Sequence, residues 1–169
     1  MMNSREDDLK MEFPKRIYTG EEVEKARELV EKGYKHNLSI KGSQTFRRKM
    51  QQVLGLVTVA GYSDFLRMYI RSIEEIDGLT QLRQADAAIW ANKYAVENPV
   101  DAASFFIQKA FQMKEYLEGK LYYGGKAEKR SIKKRREFLE TLRIKTKDDK
   151  ITAECDRLLK MWAESSMIY

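Results

Sequence analysis

The sequence predicts a mainly α-helical, single-domain protein: six or seven helices around one buried central helix, with at most a small two-stranded sheet. Three observations carry this expectation. The stretch 98–118, NPVDAASFFIQKAFQMKEYLE, is apolar on both sides when wound as a helix, and such a helix belongs inside a fold rather than on its surface. Apolar residues recur at helical spacing through most of the remaining chain, whereas alternation is confined to short runs. A length of 169 residues suits one domain large enough to bury a core.

The central helix is marked at both ends. Asn98 is a capping residue, Pro99 suits the first helical position, Asp101 complements the macrodipole in the first turn, and Gly119 ends the run. At roughly 100° per residue, Ala102, Phe105, Phe106, Ala110, Met113, Tyr116 and Leu117 share one broad face, and Ile107 and Phe111 point away from it. A polar stripe of Asp101, Gln108, Gln112 and Glu115 interrupts them. Lys109 falls within the broad apolar face, where an ammonium is costly unless paired.

Composition excludes some classes. With 43% hydrophobic and 34% charged residues, the chain reads as soluble and globular. No apolar run approaches the ~18 residues of a membrane span, and no apolar stretch follows the first residues as a secretory signal requires. One cysteine, Cys155, rules out an internal disulfide framework and fits a reducing, cytoplasmic setting. Frequent Lys, Arg and Glu beside only four Asn lean toward a thermophile's composition.

In chain order, residues 1–18 are polar, mixed in charge and contain Pro14, which predicts a flexible arm. Thr19-Gly-Glu-Glu22 is a capping box for a helix over 20–32, stopped by Gly33. Leu38 and Ile40 alternate with polar residues up to Gly42, which suits a short strand. Ser43 caps a helix with Phe46, Met50, Val53, Leu54 and Val57 on its apolar face, and Gly61 ends it. A further helix starts at Ser63 or Asp64 and, by the spacing of Phe65, Leu66, Tyr69, Ile70, Ile73 and Ile76, runs to about Gly78. Residues 80–87 read as helix by propensity, and 88–94 as either helix or a strand that pairs with 38–40. After a loop at 119–125, a charged helix covers about 126–145 and a last helix follows Thr146, with Ile151, Cys155, Leu158 and Trp162 in one line. Cys155 is therefore expected to pack rather than react.

The charge is local. Residues 126–147 hold ten Lys or Arg against three Glu, so this segment is +7 and the rest of the chain −1. Lys129, Arg130, Lys133, Lys134, Arg136 and Arg143 could hold phosphates, with Tyr122 and Tyr123 stacking on bases. The alternative is a solvated helix docked through Ile132, Phe138, Leu139 and Leu142. The order of elements over 36–71 also resembles that of ribbon-helix-helix DNA-binding proteins, although its first helix is about a turn too long. A helix-turn-helix fits less well, because Arg67 falls where that motif wants an apolar residue.

The central helix permits another comparison. Zincin metallopeptidases carry H-E-x-x-H on a helix, where two His one turn apart bind zinc and the Glu is the general base. The corresponding residues here are Gln108-Lys-Ala-Phe-Gln112. Around them, an Ile40-Lys-Gly42 strand exit before Phe46, Ala88-Ile-Trp-Ala-Asn92 ahead of the central helix, and Tyr116, Gly119, Tyr122-Tyr-Gly and Ala127-Glu128 after it resemble that family in order over about 37–143. The resemblance implies a zincin-like fold with a degenerate metal site at Gln108, Lys109, Gln112 and Glu128. A glutamine amide is a poor zinc ligand and a lysine repels a cation, so no zinc peptidase, metal or cofactor is expected. The resemblance further implies that Lys109 reaches within about 4 Å of Glu128. The expected function is a non-catalytic binding or scaffold protein, a zincin-like pseudoenzyme. The alternative is a nucleic-acid-binding protein acting through 126–147. The sequence names no partner; a protein or a nucleic acid is expected rather than a membrane.

Overall fold

Capping chemistry sets most of the helix boundaries. The computed structural model describes residues 12–166. Helix α1 (Gly20–Glu31) begins on the Thr19–Glu22 capping box and ends ahead of Gly33, whose φ of +95° suits glycine. Ser43 Oγ accepts from Phe46 N at the start of α2 (Gln44–Val59). Helix α3 (Ser63–Tyr69) follows after Gly61, at φ +79°. Asn98 accepts from Asp101 N at the start of α4 (Pro99–Leu117), and α5 (Gly125–Lys145) and α6 (Asp149–Ser166) complete the set.

The fold is mainly helical, as expected, but its sheet has four strands rather than two. β1 (Ser39–Lys41), β2 (Ser72–Ile76), β3 (Gln81–Arg83) and β4 (Ala88–Asn92) lie in the order β1-β2-β4-β3. The first three in that order are parallel and β3 is antiparallel at the edge. Two helix expectations therefore fail. The helix expected over 63–78 stops at Tyr69, and Ile70 is already extended, with φ −118° and ψ 121°. Residues 72–76 then form a strand between β1 and β4, where both backbone edges are paired. An i, i+3 run of isoleucines suits a helix, but β-branched residues also favour a strand, and strand pairing decides between them. Residues 80–87 form β3 and a single 3-10 turn, Gln84–Asp86, closed by Ala87 at φ +50°. Residues 88–92 are strand, and β4 pairs with β2 and β3 rather than with β1. Because β1 pairs within the chain and a strand follows α3, the order beyond α3 departs from a ribbon-helix-helix arrangement.

Cross-strand register explains how the sheet meets the helices. Ile40, Ile73, Ile89 and Leu82 form one apolar row across all four strands, with Ile73 and Ile89 fully buried. The opposite face carries Lys41, Glu74, Trp90 and Gln81 in a row, and Arg83 lies over the Trp90 ring at 4.3 Å. Gly42 is required by a close approach: a Cβ there would meet Glu75 Cβ and Phe46 Cδ1, both at 2.8 Å.

Helix α4 is central, as expected. It contacts α1, α2, α3, α5 and α6, and its buried residues include Val100, Ala103, Phe106, Ile107, Ala110, Met113 and Leu117. The arm expected at 1–18 lies outside the described residues as far as 11, and over 12–18 the chain packs on the domain. Ile17 is fully buried; its N–H donates to Ala85 O and its carbonyl accepts from Tyr116 Oη at 2.6 Å. Phe13 stacks on Tyr34 and meets His36 edge-on, with ring centroids 5.2 and 4.4 Å apart. Arg71 donates to the carbonyls of Pro14 and Lys15 and lies over Phe13. Burial among these rings, reinforced by the Arg71 cation, pulls the His36 imidazole down to about 4, so it is neutral near pH 7.

Candidate functional site: a polar seam between two helices

α5 closes over the polar stripe of α4, burying Gln108 and Glu115 and leaving Asp101 and Gln112 half-buried. Asp101, Ser104, Gln108 and Glu115 lie one or two turns apart on α4, and opposite them α5 presents Ser131 and Arg135, one turn apart, and Arg130. Arg135, 6% exposed, holds the centre. Its Nε donates to Ser104 Oγ at 2.9 Å, Nη1 to Gln108 Oε1 at 3.1 Å and Nη2 to Asp101 Oδ1 at 2.6 Å. The guanidinium is flanked by Phe105 and Trp162, whose ring centres are 5.3 and 4.7 Å away. The other end of the Gln108 amide donates to Ser131 Oγ at 3.0 Å, and Ser131 Oγ donates to Glu128 O at 2.8 Å.

A buried guanidinium persists here because its planar fork meets acceptors in three directions. Burial pulls its proton affinity down and the Asp101 carboxylate offsets part of that, so Arg135 remains a cation. At the far end of the seam, Glu115, 2% exposed, accepts from Arg130 Nε at 2.8 Å through Oε2, while its Oε1 is buried without a hydrogen-bond partner among the described residues. Arg130 also donates to Leu121 O, which ties the loop before α5 to this pair.

The four positions implied by the zincin resemblance behave differently from one another. Gln108 belongs to the Arg135 network. Gln112 is half-buried and makes no side-chain hydrogen bond among the described residues. Glu128 is exposed and joins the seam only through its backbone carbonyl. Lys109 does not pair with Glu128: among the described residues, no carboxylate comes within the 4.0 Å of an ion pair. Its Nζ instead lies over Phe105, 5.0 Å from the ring centre, which leaves the alkyl stem along the helix surface. Burial lowers the affinity of this amine for its proton, the Arg135 cation lowers it further, and Glu128 partly offsets both. The cations that bridge the two helices are thus Arg135, with Asp101, and Arg130, with Glu115. Among the described residues, no three His, Cys, Asp or Glu side chains come together as metal ligands would.

The basic residues of α5 divide along the helix. Arg130 pairs with Glu115, Lys134 with Glu137 at 3.3 Å, and Arg143 with Asp156. Arg136 is half-buried, with Nε lacking a hydrogen-bond partner. Lys129 and Lys133 are exposed and, like Lys126, form no ion pair among the described residues. Tyr123 is exposed, whereas Tyr122 is half-buried between Tyr116 and Tyr123. The docking face of α5 was expected at Ile132, Phe138, Leu139 and Leu142; the last three are buried, but Ser131 and Arg135 take the inner position and Ile132 sits at the margin. Cys155 is buried among packing residues, and burial pushes its thiol up to about 11.

Sequence reasoning missed Arg135 as the keystone, along with Ser104, Ser131 and Trp162. The available signal was polar spacing on both helices: Asp101, Ser104 and Gln108 on one, Ser131 and Arg135 on the other. Compared with protein-family models, curated proteins and solved structures, the chain matches none of them.

Proposed function

We propose that the chain is a non-catalytic binding or scaffold protein, built on a zincin-like fold whose metal site has been lost. One observation carries this reading: a cation-centred hydrogen-bond network, Arg135 with Asp101, Ser104 and Gln108, fills the interface between α4 and the helix bearing Glu128. The arrangement of elements supports it. β1 leads through Gly42 into α2, β4 leads into α4, and α5 lies against α4, in the order the resemblance requires around a metal helix. Gln108 uses both ends of its amide on protein partners, and the donor to its Oε1 is the Arg135 guanidinium, a fixed cation that would repel a metal at that oxygen. Elemental analysis of purified protein tests this. The reading expects no stoichiometric zinc and a melting temperature unchanged by chelator, and about one tightly held zinc per chain contradicts it.

A second reading has its own observation. Lys126, Lys129 and Lys133 form an exposed line at the start of α5, with no ion-pair partner among the described residues and with exposed Tyr123 nearby in sequence. A nucleic-acid-binding role would rest on these residues and not on Arg130, Lys134 or Arg143, which are already paired. Binding that falls steeply with salt and is lost in Lys129→Glu/Lys133→Glu supports this reading, and no binding at low salt removes it.

A further inference from the structure

Lys134 points from α5 into a group of rings that the polar seam does not use. Its Nζ lies 5.5 Å from the ring centre of Phe65, 5.9 Å from that of Phe111 and 6.0 Å from that of Tyr62. These rings come from three places: Tyr62 just ahead of α3, Phe65 within it, and Phe111 on α4. The Glu137 carboxylate stands 3.3 Å from the same Nζ. The three rings are half-buried and the Lys134 side chain is 25% exposed, so the cluster opens to solvent on one side. Its walls are braced, because Tyr62 meets Phe65 and Phe138 edge-on and Phe65 meets Tyr69.

Ring faces attract cations through their quadrupoles but accept N–H hydrogen bonds poorly. A lysine ammonium is compact and strongly hydrated, so three rings satisfy it incompletely. A methylated ammonium is less hydrated, spreads its charge over its methyl groups and makes closer apolar contact with the rings. We propose that Tyr62, Phe65 and Phe111, with Glu137 at the rim, form a binding site for a methylated ammonium group. Lys134 is its tethered occupant, which such a ligand displaces. The tethered cation lies over the ring faces in the free protein and competes with the ligand, so apparent affinity is lowest when Lys134 is intact.

Tetramethylammonium titrated into the full chain, with the aromatic ring signals followed by NMR, tests this. Lys134→Ala should show saturable shifts at Tyr62, Phe65 and Phe111, with binding at least about ten-fold tighter than in the unaltered protein. Adding Phe65→Ala should abolish them. Lys134→Met keeps the stem volume without the charge and serves if the alanine variant does not fold. Trimethyl-lysine and phosphocholine then separate the two sources of this chemistry: preference for the first assigns the site to a methylated side chain, and preference for the second to a choline headgroup. No saturable shift in either Lys134 variant, shifts that survive Phe65→Ala, or equal affinity with and without Lys134 would overturn the proposal.

Discussion

The two sides of α5 carry the same kind of residue and use it in opposite ways. On the inner side Arg135 is enclosed, bonded in three directions and flanked by two rings. On the outer side Lys126, Lys129 and Lys133 stand in water without an ion-pair partner among the described residues. Net charge and helical spacing treat these residues alike. What separates them is the surface opposite: the polar stripe of α4 offers acceptors that only a planar, multidentate donor can satisfy together. A buried cation is then a joint between helices, and an exposed one is a solvated charge whose removal the fold barely registers.

Removing the joint should have the largest effect. Arg135→Ala takes away the donors that Gln108 Oε1 and Ser104 Oγ accept from, leaves the Asp101 carboxylate without its cation and opens a space between Phe105 and Trp162, and should cost about 3–5 kcal/mol in denaturant unfolding. Lys133→Ala should stay within about 0.5 kcal/mol of the unaltered protein. A comparable loss at both positions would erase the distinction between the two sides.

The aromatic cluster around His36 sharpens the comparison, because it buries a basic group without a counter-charge. His36 is 2% exposed, its Nε2 has no hydrogen-bond partner among the described residues, and the charge facing it is the Arg71 cation. With its value lowered from 6.5 to about 4, the folded protein refuses a proton that the unfolded chain accepts between those two pH values. Stability is therefore unaffected by His36 above about pH 6.5, falls as pH drops toward 4, and has lost about 3 kcal/mol below that. His36→Phe should lack this component, so the stability difference between the two proteins should change with pH over that window. A difference that stays constant from pH 7 to pH 4 would show that His36 is not held neutral.

Lys109 marks the middle of the scale. Had it paired with Glu128 in a buried site, its loss would match that of Arg135. Lying over Phe105 with no carboxylate at ion-pair distance among the described residues, it should cost about 1 kcal/mol on change to alanine, and Glu128→Ala should couple to this only weakly, by less than about 1 kcal/mol. A coupling above about 1 kcal/mol between the two would restore the pair.

The parts of the fold that were legible in the sequence are those set by local chemistry. Thr19 with Glu22, Ser43, Asn98 with Pro99, and Gly33, Gly61 and Gly119 mark helix ends through bonds and torsions spanning a few residues. The sheet was less legible because its strands are short and depend on partners distant in sequence. Ile70, Ile73 and Ile76 satisfy a helical spacing as well as a strand, and only pairing of 72–76 with 39–41 and 88–92 chooses between them. Ala87 at φ +50° gives no sequence cue for the end of its turn, since glycine or asparagine is the usual resident. Of the candidate site, Gln108 and Asp101 were visible as a stripe, but their partner was not. Which of ten basic residues on 126–147 turns inward depends on how α5 is rotated against α4, and Arg135 lies beside Phe138, Leu139 and Leu142 on that inner face.

The account rests on Arg135 and Gln108 acting as one unit across the α4–α5 interface, and a double-mutant cycle tests that most directly. Denaturant unfolding of Arg135→Ala, Gln108→Ala and the double variant should give a coupling of about 1–2 kcal/mol, with the double costing less than the sum of the singles. Additive losses, or an Arg135→Ala variant as stable as the unaltered protein, would contradict a seam held by that guanidinium.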